Sequence, residues 1–237
     1  MCDDGGDRKS VAAAANAVSS DAVWANNAEP KLLVVHTDGA CRGNGTPRAV
    51  SGCGVWFGSD GDPRNVSVRL PVPPHSNQRA ELFAVLLAMQ TVLAEIARGC
   101  PEGEADKRNR ETTGRVLRIV SDSKYCVLGI TTWMAGWHAN GWQRRAAPSG
   151  EAARQQKSGS IAEWVRRKAA PLAPAPLVET AGSPFLPVAN LDLWKRVWSC
   201  TRELEASGTA LELVWTKGHA KDVGNNAADR LAAAAIR

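Results

Sequence analysis

The chain has 237 residues, of which 44% are hydrophobic and 22% are charged, proportions that are ordinary for a globular protein. Its net charge of +5 and its pI near 9.0 favour a polyanionic partner such as a nucleic acid, although many basic proteins bind none. The sequence has no evident apolar run of bilayer length and no basic-then-apolar leader, so we expect a soluble protein that has no membrane partner and is not classically secreted.

The six cysteines include no C-x-x-C pair and have no histidines at the spacing of zinc ligands. They predict free thiols in a reducing compartment, and hence an intracellular protein of the nucleus or cytoplasm. Acidic residues at positions 3, 4 and 7 argue against a mitochondrial presequence, without excluding that organelle. We interpret residues 1–30, which are rich in Ala, Ser, Asn and Asp, as a disordered N-terminal tail.

The first ordered part of the chain is predicted to be an antiparallel meander of three strands. Residues 32–35 are a short apolar run that predicts a buried strand, which ends at Asp38 before the Gly-rich turn 42–45. Residues 54–57 and 66–70 are the next strand candidates, because an Asp-Gly-Asp-Pro turn signal separates them.

A helix is predicted from Asn77 to Arg98, because apolar residues recur there at steps of three and four. A strand at 116–120 then ends at Asp122 and leads into a short helix. The remaining predictions are an insertion without clear periodicity at 146–187, a helix at 191–206, a strand at 211–215 and a helix at 223–236. A meander combined with crossover helices predicts an α/β fold with a mixed sheet.

Four acidic residues occupy positions that favour metal binding. Asp38 and Asp122 end predicted strands, Glu81 lies early in a predicted helix, and Asp229 lies in the last helix. An acid at the end of a buried strand is costly unless it is paired or bound to a metal. Each acid alone is also explained as a helix cap, a turn residue or a solvated charge. The set of four, with its neighbours, favours a metal site.

Converging carboxylates repel one another, by roughly 4 kcal/mol for a pair about 4 Å apart at an effective dielectric near 20. Two divalent cations would cancel that charge. Mg²⁺ prefers carboxylate oxygens and keeps bound waters, which leaves coordination positions for a phosphate, and Mn²⁺ is the expected substitute. Such a pair of ions, roughly 4 Å apart, activates a water on one side of phosphorus and stabilises the leaving oxygen on the other.

The neighbours of these acids resemble the motifs of type 1 ribonuclease H, in the family's order, over about residues 31–145 and 188–237. The matching segments are TDGA at 37–40, GNG at 43–45, NQRAEL at 77–82, SDS at 121–123, WMAGW at 133–137, NGW at 140–142, GH at 218–219, GN at 224–225 and ADRLA at 228–232. The resemblance implies a ribonuclease H-like fold, in which a mixed five-stranded sheet is flanked by helices. It also implies a monomeric domain over residues 31–237, with a disordered insertion at 146–187.

The resemblance further implies an endonuclease that hydrolyses the RNA strand of RNA–DNA hybrids by two-metal-ion catalysis, leaving 5′-phosphate and 3′-hydroxyl ends. By the same resemblance Asp38, Glu81, Asp122 and Asp229 are the catalytic, metal-binding acids. His219 matches the histidine of a mobile loop, which shuttles a proton or eases product release.

Residues that contact the hybrid are assigned by similarity alone. On the RNA side they are Cys41, Arg42, Asn44 and Gln78; in a DNA-phosphate pocket they are Ser76, Asn77 and Asn190; and along the DNA strand they are Tyr125, Trp133 and Trp142. Asn44 is equally explained as a left-handed turn residue. Aromatic residues at helical spacing are more often core residues, and we expect that role for Trp137. Pro74 stands where many relatives have an Arg of the phosphate pocket, with His75 as a partial substitute.

Three alternatives remain at this stage. An exonuclease or integrase of related fold would also use acids and two metals, but the exonucleases place an Asp-x-Glu pair on the first strand, whereas Asp38 precedes Gly39 and Ala40. A non-catalytic hybrid-binding module would need neither four acids nor a loop histidine. The insertion at 146–187 is explained either as a basic element that binds the duplex or as a solvated loop. It is also a candidate site for a protein partner.

Overall fold

The computed structural model describes residues 31–99, 114–145, 185–218 and 222–237. The predicted N-terminal tail lies outside the described residues. So do His219 and the insertion as far as residue 184. The predictions made for these parts of the chain therefore stay predictions.

Seven strands and five α-helices make up the described residues. The strands are β1 (Lys31–Arg42), β2 (Val50–Trp56), β3 (Val66–Arg69), β4 (Arg115–Ser121), β5 (Gln143–Arg145), β6 (Phe185–Pro187) and β7 (Thr209–Trp215). The helices are α1 (Asn77–Arg98), α2 (Lys124–Leu128), α3 (Met134–Ala139), α4 (Leu191–Ala206) and α5 (Val223–Ala234), and a π-helical turn (Gly129–Trp133) joins α2 to α3.

The main sheet has five strands in the order β3-β2-β1-β4-β7. β1, β2 and β3 pair antiparallel, whereas β4 pairs parallel with both β1 and β7. This arrangement confirms the predicted meander and mixed sheet. The parallel register of β1 and β4, which runs from Lys31 opposite Arg115 to His36 opposite Val120, brings the positions of Asp38 and Asp122 side by side.

Two predicted boundaries were wrong. Asp38 does not end the first strand, because β1 keeps pairing with β2 from Asp38 opposite Gly54 to Arg42 opposite Val50, beyond the point where β4 stops. The insertion does not extend to residue 187, because β6 pairs antiparallel with β5. Both errors concern strand pairing with distant partners, which a local apolar pattern does not report.

Helix α1 is the central helix of the core. Ser76 caps it by accepting a hydrogen bond from the backbone N–H of Arg79 at 3.2 Å. The predicted apolar stripe is buried, with Leu82, Val85 and Met89 each at 0% exposure, and burial of such side chains contributes about 1.5–3 kcal/mol apiece. Among the described residues, α1 is the helix whose length and hydropathy would allow it to cross a membrane, but its buried face packs against the sheet and α4, as in a core helix.

Glycines on the strands allow helices to approach both faces of the sheet. A Cβ atom at Gly39 would lie 2.3 Å from the backbone N of Glu81 on α1. Cβ atoms at Gly52 and Gly54 would lie 2.3 and 2.1 Å from carbonyl oxygens of α5. Successive strand residues point to opposite faces, and Gly39 pairs with Cys53, between the other two glycines. Helices α1 and α5 therefore pack on opposite faces.

Gly54→Ala tests this packing. The added methyl group would meet the carbonyl oxygen of Ala228, which belongs to backbone and cannot rotate away. We expect a loss of at least about 2 kcal/mol in the free energy of unfolding, at the upper end of the usual cost of overpacking. Urea denaturation measures it. Gly61→Ala is the matched control, since no atom lies within 4 Å of a Cβ at that position, and it should leave stability nearly unchanged. Equal stability of the two variants would contradict the close approach of α5.

Candidate active site

Three of the predicted acids meet beside the inner strands β1 and β4 of the sheet, where β4 ends. Asp38 comes from β1, Glu81 from the second turn of α1, and Asp122 directly follows β4. One carboxylate oxygen from each lies within 4.8 Å of the other two. Among the described residues this is the group of acidic, His or Cys side chains whose geometry suits a metal ion.

Asp38 and Glu81 are almost fully buried, at 7% and 6% exposure, whereas Asp122 is half-buried. Burial, the charge of Asp122 and the charge of Asp229 raise the pKa of Asp38 to about 7, against a hydrogen bond from the backbone N–H of Gly39. Burial, followed by the charges of Asp38 and Asp122, raises the pKa of Glu81 well above its usual range. Without a cation, the pair therefore holds protons at pH values where exposed carboxyl groups are ionised.

Asp229, the fourth predicted acid, reaches the site from α5. It lies outside the group of three, but its charge and a side-chain hydrogen bond from it contribute to the raised pKa of Asp38. The close packing of α5 on Gly52 and Gly54 makes this approach possible. The other three predicted acids are thus near Asp38, although the four come from different parts of the chain.

Two asparagine amides contact the acids. Asn77 donates from Nδ2 to Oε1 of Glu81, and Asn225 donates from Nδ2 to Oδ2 of Asp122, each at 3.5 Å. None of the ion pairs between described residues involves any of the four acids. Neutral donors therefore orient the carboxylates without neutralising their charge.

The donor set fits a hard divalent cation. The Oε2 atom of Glu81 is buried and has no hydrogen-bond partner among the described residues, which is costly for a carboxylate unless a cation lies nearby. Carboxylate oxygens are the ligands that Mg²⁺ and Mn²⁺ prefer. Asp38, Glu81 and Asp122, with Asp229 beside Asp38, are the residues that would hold such ions.

The segment after β7 packs against Asp122. Trp215 donates from Nε1 to the backbone carbonyl of Asp122 at 2.9 Å. A Cβ atom at Gly218 would lie 2.3 Å from Oδ2 of Asp122, so a larger residue there would have to displace this carboxylate. His219 follows immediately, but it lies outside the described residues, and its predicted role stays a prediction.

The residues assigned to the RNA side lie where β1 ends and α1 begins. Asn44 accepts a hydrogen bond at Oδ1 from the backbone N–H of Asn77 at 3.3 Å, which joins the two segments. Arg42, Asn44 and Gln78 are exposed and Cys41 is half-buried. The left-handed positions of this loop belong to Gly43 and Gly45, at φ values of 68° and 82°. The turn explanation for Asn44 is therefore wrong.

Two of the residues assigned to the DNA side, Tyr125 and Trp133, are joined by a chain of aromatic rings that passes through Trp194 and Trp137. The centroid distances are 5.4 Å from Tyr125 to Trp194, 5.2 Å from Trp194 to Trp137 and 5.6 Å from Trp137 to Trp133. Trp194 is fully buried, and Trp137 packs against the core as predicted. Trp142 also packs against the core, as a half-buried residue.

Asn190 and Tyr125 are joined directly. Asn190, in a left-handed conformation at φ 58°, donates from Nδ2 to the hydroxyl oxygen of Tyr125 at 3.1 Å. Trp194 donates to the same oxygen at 2.7 Å. No described hydrogen bond joins Asn190 to Ser76 or Asn77, so their common pocket stays a prediction.

The sequence did not predict the ion pair between Arg79 and Asp192, which joins α1 to α4. Buried Arg79 forms a bidentate ion pair with Asp192, at 2.8 and 2.7 Å, which ties the first turn of α1 to the first turn of α4. The only sign of this ion pair in the sequence was an arginine among the apolar residues of α1. The contact of the Asn225 amide with Asp122 was also not predicted, although Asn225 belongs to the Gly-Asn motif that resembles the family.

A family model for RNase H matches residues 30–168, more than half of the chain, and this range includes Asp38, Glu81 and Asp122. The chain belongs to the ribonuclease H family. With the strand order described above, this membership confirms the predicted ribonuclease H-like fold. The matched range ends before Asp229, whose assignment depends on the structure and on the motif around it.

The curated relatives that match most of the chain are ribonucleases H. The chain is 29% identical to ribonuclease H of Schizosaccharomyces pombe, over 95% of this chain and 63% of that one. It is 30% identical to ribonuclease H of a Polaromonas species, over 84% and 85% of the two chains. A solved type 1 RNase H with the type 2 active-site motif matches with a TM-score of 0.45 and 23% identity, over 89% of this chain and 74% of that chain.

The chain spans only part of several ribonuclease H relatives. It covers 63% of the fission-yeast protein and about a third of the mouse and human ribonuclease H1 chains.

The raised pKa of Asp38 predicts a specific pH dependence of stability. Because the folded state binds this proton more tightly than the unfolded chain does, folding loses stability as pH rises from about 4 through about 7 in the absence of divalent cations. Asp38→Asn removes the titrating group and should raise the melting temperature at pH 8 by at least about 3 °C, which corresponds to roughly 1 kcal/mol in a domain of this size.

Thermal unfolding in chelator at pH 5 and pH 8 measures this effect. The wild-type protein and Asp38→Asn should melt at similar temperatures at pH 5 and diverge at pH 8. Adding Mg²⁺ at pH 8 should raise the melting temperature of the wild type more than that of the variant. A constant difference between the two proteins across this pH range would show that Asp38 is already ionised without metal.

Proposed function

We propose that this chain is an endonuclease that hydrolyses the RNA strand of RNA–DNA hybrids with the help of divalent metal ions. The observation that carries the proposal is the convergence of Asp38, Glu81 and Asp122 within 4.8 Å at the sheet edge of a ribonuclease H family member. A binding module alone would have no use for buried, mutually repelling carboxylates. Mg²⁺ is the proposed ion, with Mn²⁺ as a substitute.

The acids of the chain would hold two ions, with Asp229 completing the set of four ligands. Bound there, the ions would supply activation of a water and stabilisation of the leaving oxygen, so that the products carry 5′-phosphate and 3′-hydroxyl ends. Asp38 and Glu81 must give up their protons before they act as ligands, because their pKa values are raised. Activity should therefore increase as pH rises through neutrality.

Asparagine amides keep the carboxylates oriented during this exchange of protons for metal. Asn77 donates to one oxygen of Glu81, and Asn225 donates to one oxygen of Asp122. The other oxygen of each acid is left for the ions. Such outer partners typically change metal affinity by about 10–100-fold when they are removed. His219, which directly follows Gly218 in the sequence, is the proposed group for proton transfer or product release.

Recognition of a hybrid requires contacts to 2′-hydroxyl groups on one strand and a different surface for the other strand. Exposed Asn44 and Gln78 and the backbone near Cys41 are the proposed RNA contacts, since they lie beside the first turn of the helix that carries Glu81. The chain of rings from Tyr125 to Trp133 is the proposed DNA side, where half-buried aromatic faces can pack against deoxyribose.

The decisive experiment is cleavage of a labelled RNA–DNA hybrid by the wild type and by Asp122→Asn. We expect Mg²⁺-dependent cutting of the RNA strand only, which chelator abolishes, with double-stranded RNA and double-stranded DNA left intact. Asp122→Asn should lower kcat at least about 100-fold, since it removes a ligand rather than an outer partner. Its fold should survive, because the substitution keeps the size and the half-buried setting of the side chain.

Glu203→Gln is the matched control, because it neutralises an exposed acid on α4 outside the acidic site. It should cleave the hybrid at the wild-type rate. Tight binding of the hybrid by the wild type, with no cutting in Mg²⁺ or Mn²⁺, would make the chain a non-catalytic hybrid-binding module. Cutting of double-stranded DNA would instead indicate a nuclease of related fold.

A further inference from the structure

A largely buried histidine without a role in the proposed chemistry, His36, lies two residues before Asp38 on β1. The side chain of His36 is 13% exposed. Its Nδ1 atom is buried without a hydrogen-bond partner among the described residues. Burying an unpaired ring nitrogen costs free energy, and a phenyl ring would fill the same space without that cost. The imidazole is therefore expected to do more than fill space.

The ring of His36 is held from two sides. It packs edge-on against Trp56, with ring centroids 5.5 Å apart. On its other side it faces the first turn of α5, where a Cβ atom at Gly224 would lie 2.4 Å from the imidazole. The imidazole therefore occupies the space that a side chain at position 224 would take, and it sets how closely the start of α5 approaches β1.

Asp222 connects this ring to the acidic site. Its Oδ1 atom lies 3.4 Å from Nε2 of His36, and the same oxygen caps α5 by accepting the backbone N–H of Asn225 at 3.0 Å. Asn225 in turn donates to Oδ2 of Asp122 at 3.5 Å. A continuous series of contacts therefore runs from β1 through the N-cap of α5 to the carboxylate that follows β4.

The same helix carries Asp229, seven residues after Asp222 and so about two turns further along. A shift of the first turn of α5 would move Asn225 relative to Asp122 and Asp229 relative to Asp38. We propose that His36 is a positioning residue of the active site, which acts with Asp222 to fix the start of α5 against β1. The proposal rests on the proposed function, in that the acids are taken to hold divalent cations.

His36→Phe is the first test, because it keeps an aromatic ring between Trp56 and Gly224 but removes the nitrogen that faces Asp222. Binding of Mg²⁺ alone, measured by isothermal titration calorimetry, should weaken about tenfold, as is typical when an outer partner of a metal site is removed. In hybrid cleavage kcat should fall by a similar factor, whereas KM for the hybrid should stay unchanged, because the proposed nucleic-acid contacts lie elsewhere.

Asp222→Ser is the second test. Serine keeps the N-cap of α5, since it is as good a capping residue as aspartate, but its side chain is too short to reach the imidazole. We expect it to weaken Mg²⁺ binding as His36→Phe does. The double variant should be no worse than either single variant, because all three lack the same contact.

Wild-type Mg²⁺ affinity and kcat in a folded His36→Phe protein would overturn the proposal, as would fully additive losses in the double variant. A rise in KM without a fall in kcat would also count against it, since that result would place His36 in hybrid binding. The calorimetry needs no nucleic acid, so a wild type that binds Mg²⁺ but fails to cut the hybrid would overturn the proposed function and leave the positioning role to be judged on metal affinity.

Discussion

Repulsion among buried carboxylates is the constraint on which the rest of this structure depends. Asp38, Glu81 and Asp122 lie within 4.8 Å of one another, and two of them are almost fully buried. At such distances each additional negative charge costs several kcal/mol, which the raised pKa values of Asp38 and Glu81 reflect. The arrangement is therefore one that the surrounding packing imposes on the acids, and one that divalent cations would relieve.

The packing that imposes it depends on glycine. Gly39 lets the backbone of α1 approach β1, Gly54 lets α5 approach β2, and Gly218 lets the segment after β7 lie against Asp122. At each position a single methyl group would come within 2.3 Å of a neighbouring atom. Helices and loops that carry acids or their partners are thus brought to one edge of the sheet from both faces, and polar contacts such as that of Asn225 with Asp122 become possible.

The elements that the sequence predicted well are those whose burial follows a local period. Helices α1 and α4 have the predicted bounds, because one apolar stripe at steps of three and four faces the core in each. The end of β1 and the strand β6 were predicted wrongly, because each is decided by a partner strand. The left-handed conformation considered for Asn44 is taken instead by Gly43 and Gly45, and Asn44 accepts a hydrogen bond from the backbone of Asn77.

Residue types and short spacings were enough to predict the four acids and their order, the helical stripes and the motifs that indicate the family. The folded arrangement was needed to show that three of the acids meet, that Asp229 joins Asp38 from α5, and that Arg79 pairs with Asp192. Arg79 and Asp192 are 113 positions apart, as Asn225 and Asp122 are 103 apart. Contacts at such separations depend on how helices pack across the sheet, and no local period records that packing.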